Sequence, residues 1–204
     1  MISKINPDPQ YRNVLGKLLA VILLTLRGTP FIYQGQELGM INQDFKTIED
    51  LRDVESLNLY RELTKSMDKD KAFKKVLAGS RDHARTPMQW EDQEYAGFST
   101  GKPWIMMDHD YKNCNVDAQL NDEDSIFNFY QKLIALRKEH NVIPYGDVIF
   151  TNKMVKNLFT YYRKDENEIL YVEINLSPNK KKRAKLPEGE RLLSNYEVVS
   201  LSHL

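Results

Sequence analysis

Apolar positions follow three different patterns along the chain, and each predicts a different kind of element. Between residues 8 and 26, Val14, Leu15, Leu18, Leu19, Ile22 and Leu26 recur at helical spacing, and Gly28 with Pro30 stops the run, so a buried helix opens the chain. Phe31-Ile32-Tyr33 comes next, a short β-branched and aromatic run ended by Gln34-Gly35-Gln36-Glu37. It predicts a fully buried parallel strand entered from a helix. Ile126, Phe129, Tyr130, Leu133, Ile134 and Arg137 share one face of a second helix over residues 125–140, with Asp124 or Ser125 to cap it and Asn141 to end it. Past Pro144 and Gly146 the period shortens, and residues 148–150, 158–162 and 169–174 predict a small antiparallel β region.

Strand and second helix are separated by about ninety residues. That excursion predicts short helices near 48–63 and 69–77, then an irregular stretch marked by Gly97, Gly101 and Pro103. Loops beyond about fifteen residues are uncommon unless they carry function, so a binding surface is expected here. The single strand at 31–33 needs hydrogen-bonding neighbours on both sides. Either another chain supplies them, or this chain is the C-terminal piece of a longer protein. The run Lys180-Lys181-Lys182-Arg183 reads as a solvated hairpin tip beside an edge strand.

Composition narrows the class. The 204 residues carry 29 Lys plus Arg against 29 Asp plus Glu, a balance that leaves no footprint for nucleic acid or an anionic membrane. At 41% hydrophobic and 10% aromatic the chain can build a core. The single cysteine, Cys114, allows no intrachain disulfide and no Cys/His metal cluster, which fits a cytoplasmic protein. Residues 18–26 are about half of what a bilayer-spanning helix needs, and no signal-peptide cleavage pattern follows them.

Three ordered motifs carry a resemblance. Residues 28–40, Gly-Thr-Pro-Phe-Ile-Tyr-Gln-Gly-Gln-Glu-Leu-Gly-Met, resemble the last barrel strand of α-amylase-type glycoside hydrolases (family 13). Arg52-Asp53-Val54-Glu55-Ser56-Leu57-Asn58 and Ser80-Arg81-Asp82-His83-Ala84-Arg85-Thr86-Pro87-Met88-Gln89-Trp90 are similar to the branch holding oligo-1,6-glucosidase, dextran glucosidase and trehalose-6-phosphate hydrolase, and residues 96–104 continue the likeness. The resemblance implies an α/β then all-β fold: the C-terminal portion of a TIM (β/α)8 barrel followed by a small, incomplete antiparallel β-sandwich domain. Residues 1–145 would supply helix seven, strand eight, a long substrate loop and helix eight, and residues 146–204 would begin a truncated C-terminal β domain. The turn after strand eight would sit at the catalytic face.

The resemblance further implies hydrolysis of α-glucosidic bonds with retention, by a carboxylate nucleophile and a carboxylic acid about 5 to 5.5 Å apart. In the family these and a third carboxylate come from strands four, five and seven, so no catalytic residue is expected in this chain, which should be inactive alone. His109-Asp110 looks like the family's His-Asp pair but follows the strand-eight motifs instead of preceding them, and reads as an ordinary loop pair. Two positions match sugar contacts. Arg81 matches an arginine that holds the terminal glucose, and Glu55 a glutamate on the leaving-group side. The alternative for each is an ion pair, Arg81 near Asp82 or Glu55 with Arg52. Glu37 reads as structural, Arg85, Gln89 and Trp90 as braces of the loop, and Trp104 as a loop anchor more than a stacking platform. No Ser, nor Cys114, has a His at nucleophile-like spacing. The expected partners are a small oligosaccharide and the missing N-terminal barrel portion, without metal, cofactor, nucleic acid or membrane. Trehalose-6-phosphate hydrolase is the alternative enzyme, and a non-catalytic carbohydrate-binding or interaction protein the alternative of another class.

Overall fold

Among the residues described by the structure, a computed structural model covering 2–107, 109–151, 158–177, 179 and 188–195, the elements run α1 (Ile2–Ile5), α2 (Arg12–Thr25), α3 (Val54–Leu63), α4 (Lys69–Leu77), α5 (Val116–Leu120), α6 (Ile126–Glu139), α7 (Val142–Tyr145), β1 (Asp147–Phe150), β2 (Leu158–Lys164) and β3 (Ile169–Asn175). Helix α2 is apolar over most of its surface because it is covered twice. Ala20 and Leu24 pack on Ile126, Phe129, Tyr130 and Leu133 of α6. Leu18, Val21, Ile22 and Leu26 pack on Tyr161, Val172 and Ile174 of the sheet. The sheet is a three-stranded antiparallel meander in the order β1-β2-β3, with Phe150 opposite Tyr161 and Tyr161 opposite Val172.

Two arginines close the C-terminal end of α2, where unpaired carbonyls and the negative end of the helix dipole favour cations. Arg137 of α6 donates from Nη1 to the carbonyls of Leu24 at 2.8 Å and Leu26 at 3.2 Å, and from Nη2 to that of Gly28. Arg163 of β2, fully buried, donates from Nη1 to the Thr25 carbonyl at 2.7 Å, from Nη2 to Gly146 and from Nε to Asp147 at 3.4 Å. The Tyr161 and Thr25 hydroxyls share a hydrogen bond beside it. The start of α6 is capped by Ser125, whose Oγ accepts the Asn128 N–H at 3.1 Å.

Two expectations differ from the structure. Residues 31–33 form no strand, and Phe31 stands 83% exposed. The physical reason is the one that makes a lone strand untenable: among the described residues no strand lies beside them to receive their backbone bonds. The helix expected over 48–63 is split into a 3-10 turn at Ile48–Asp50 and α3, because the amides of Arg52 and Asp53 are taken by the side chain of Asp82. Lys180 to Arg183 and the final strand-like run at 198–200 lie outside the described residues. No described helix is long and apolar enough to cross a membrane.

Candidate functional site

The 52–58 and 80–90 segments are joined at the base of a helical hairpin. Helices α3 and α4 pack around Phe45, Leu51, Val76 and Ile105, so that the chain leaving α4 returns past the start of α3. Asp82 is fully buried there, and its Oδ2 accepts the N–H groups of Arg52 at 2.6 Å and Asp53 at 2.8 Å. Ser80 accepts the Asp82 N–H at 3.3 Å, and its hydroxyl lies at hydrogen-bond distance, 3.1 Å, from that of Ser56. These bonds satisfy backbone and hydroxyl groups that would otherwise be costly to bury, and they fix the register of the two segments.

The fixed register places Arg81 over Asp53. Arg81 donates from Nε at 3.0 Å and Nη2 at 2.5 Å to the same oxygen, Asp53 Oδ1, while its Nη2 lies 3.0 Å from Glu55 Oε2. Arg85 Nη1 approaches Asp53 Oδ1 at 3.5 Å and Asp82 Oδ1 at 3.3 Å. Asp53 is buried, 3% exposed at its side chain, whereas Arg81 is 53% and Glu55 78% exposed. The Arg81 hydrogen bonds pull the Asp53 carboxyl down from its ordinary value to about 2, against burial, which works to raise it. Arg81 is thus gripped on one edge and open on the other, since its Nη1 has no hydrogen-bond partner among the described residues.

Arg81 faces a cleft of about 380 Å³ that is also lined by Tyr33, Gln34, Gln36, Asn42 and His83. The Tyr33 hydroxyl donates to the Ala84 carbonyl at 2.9 Å, which ties residues 31–33 to the arginine segment. His83 accepts the Gln43 N–H on Nδ1 at 3.1 Å and meets the Leu77 carbonyl with Nε2 at 2.9 Å, an arrangement that suits the neutral ring protonated on Nε2. Glu37 Oε2 is buried without a partner among the described residues, and burial raises its carboxyl. Asp110 pairs with Arg12 at 2.6 Å, and the His109 ring lies edge-on to Tyr111. The Gln89 and Trp90 carbonyls accept the first amides of α5 and so brace the loop, while Trp104, 64% exposed, does not anchor it by burial. No group of His, Cys, Asp or Glu among the described residues is arranged to hold a metal.

Arg81 and Glu55, both singled out in the sequence, are brought together here as an ion pair, and Arg81 also pairs with Asp53, whose own N–H is held by Asp82, so the ion-pair alternative forms in the neighbourhood of Asp82; Glu55 does not pair with Arg52, which turns to the Glu49 and Leu51 carbonyls. Asp53 is given no role by the sequence, and Asp82 is singled out there only as a neighbour of Arg81, not as the acceptor that joins the two segments. Both stand next to an arginine in the quoted motifs, but contact across 28 to 30 positions has no periodic signal.

A family profile described as the alpha amylase catalytic domain matches residues 1–146. The chain belongs to the alpha-amylase family. It is 42% identical, over its whole length, to the oligo-1,6-glucosidase of Parageobacillus thermoglucosidasius, of which it covers 37%. It is also 42% identical, over 87% of its length, to the trehalose-6-phosphate hydrolase of Escherichia coli K12, covering 32% of that protein. Among solved structures, that of Bacillus licheniformis trehalose-6-phosphate hydrolase superposes with a TM-score of 0.86 at 40% identity, over 96% of this chain and 37% of the other. The chain therefore spans about a third of the length of these members of the family.

Proposed function

We propose that this segment is the closing portion of the catalytic domain of a cytoplasmic retaining α-glucosidase that hydrolyses α-1,6-linked gluco-oligosaccharides. Residues 1–145 complete the barrel and its substrate loop, and residues 146–204 open the C-terminal β domain. Arg81 holds the glucose at the bond being broken, and Glu55 accepts hydrogen bonds from the sugar on the leaving side. The carboxylates that attack and protonate the bond are carried by the part of the family's length that this chain does not match.

One observation carries the reading. A guanidinium fixed at Nε and Nη2 by a buried carboxylate belongs to a residue that lines a cleft, with a second carboxylate 3.0 Å from Nη2. Vicinal sugar hydroxyls need such a pair, because each hydroxyl both donates and accepts. A second reading, hydrolysis of trehalose 6-phosphate, is favoured by the equal 42% identity to the Escherichia coli hydrolase of that substrate.

The test is an assay of the full-length protein on isomaltose, trehalose 6-phosphate and an aryl α-glucoside, beside residues 1–204 alone. Glucose release from isomaltose by the full-length protein, with none from residues 1–204, is the expected result. Preference for trehalose 6-phosphate selects the second reading. Inactivity of the full-length protein on all three contradicts both.

A further inference from the structure

Asp53 occupies the N-cap position of α3, where an aspartate ordinarily accepts a backbone N–H from the first turn and stabilises the helix. Here its side chain makes no such bond. Oδ1 is spent on Arg81 and Arg85, and Oδ2 accepts the Ser56 hydroxyl at 2.9 Å. The carboxylate is buried and its own backbone N–H is held by Asp82, so neither its position nor its direction is free. Arg81 is its opposite: a long side chain half in solvent, held by two bonds to this oxygen and one contact, at 3.0 Å, with the exposed Glu55 carboxylate.

We propose that Asp53 is a positioning residue for substrate binding: it locks the Nε–Nη2 edge of Arg81 so that Nη1 points into the cleft at a fixed angle. The proposal rests on the reading of Arg81 as the glucose-holding residue and adds the group that aims it. Holding Arg81 in one rotamer before substrate arrives removes an ordering cost from binding, and a small misplacement of a binding group is felt strongly at the reacting bond. Ser56 supports the arrangement from the far side by fixing Oδ2. A purely structural Asp53 would act the same way whatever residue stood at position 81, and a positioning residue would not.

The experiment is a double-mutant cycle in the full-length protein, with kcat/KM on isomaltose as the readout and near-UV circular dichroism as the check on folding. Asp53→Asn alone should lower kcat/KM tenfold or more. In an Arg81→Ala background the same change should cost less than twofold, because the group it aims is gone. An equal loss in both backgrounds, or no loss in the first, overturns the proposal. If Arg81→Ala leaves kcat/KM unchanged, the sugar-holding role of Arg81 fails and this inference falls with it. Should Asp53→Asn not fold, Ser56→Ala serves in its place: a loss of at least threefold that disappears in the Arg81→Ala background supports the proposal, and any other pattern overturns it.

Discussion

Replacing Arg163 by methionine tests what joins the β region to the helices. The guanidinium is fully buried and its described hydrogen bonds go to the carbonyls of Thr25, Gly146 and Asp147, the last at a weak 3.4 Å. Burial works against its charge, lowering its pKa from the ordinary arginine value. Two good bonds from a charged donor contribute about 1.5 to 3 kcal/mol each, and methionine would leave the α2 C-terminal carbonyl buried and unpaired. Relief of the desolvation cost and the apolar packing of methionine offset part of this, so a net local loss of about 3 kcal/mol is expected. Since each 1.4 kcal/mol is a factor of ten, amides at the end of α2 and in β2 should exchange with solvent roughly a hundredfold faster. Peptide-resolved hydrogen exchange on the full-length protein measures this, with α3 and α4 as the internal control. Exchange in α2 and β2 within twofold of the parent would refute the reasoning.

Three further outcomes are expected. Glu55→Gln should mainly change the preference between α-1,6 and other linkages, with hydrolysis of an aryl α-glucoside less affected because an aryl group offers no matching hydroxyls; a panel of disaccharides against the aryl substrate measures it. Cys114 is buried, bonds the Leu38 carbonyl at 3.3 Å and has its thiol pushed up to about 11, so an aromatic disulfide reagent at pH 8 should react with it only after denaturant is added. The Asp53 carboxyl titrates lower in the folded protein, about 2, than its ordinary 3.8, so its stabilising effect is present above pH 4 and fades as pH falls toward 2. With Arg81 half in solvent the effect is about 1 kcal/mol, and urea midpoints of the parent and Asp53→Asn should differ at pH 5 and converge at pH 2.

The helices were legible because their apolar spacing is repetitive and their caps are local. Helix α4 falls at Lys69–Leu77, where it was expected, and α6 begins after the predicted Ser125. The three strands were legible from β-branched and aromatic runs, though β2 extends through the buried Arg163, a charge that no pattern of hydrophobicity assigns to a core. What stayed hidden is held by single long-range contacts. Asp82 breaks the 48–63 helix from 30 residues away, and Asp53 grips Arg81 from 28. Phe31-Ile32-Tyr33 has strand composition, but strand structure is a property of a pair, and the partner is not among the described residues.

The central claim is that Arg81 and Glu55 touch sugar, and a crystal structure of the full-length protein, with its catalytic acid replaced and isomaltose bound, tests it most directly. Arg81 Nη1 should lie about 3 Å from a hydroxyl of the terminal glucose, with Nε and Nη2 still on Asp53 and Glu55 at hydrogen-bond distance from the second glucose. Isomaltose bound with neither Arg81 nor Glu55 in contact would contradict it.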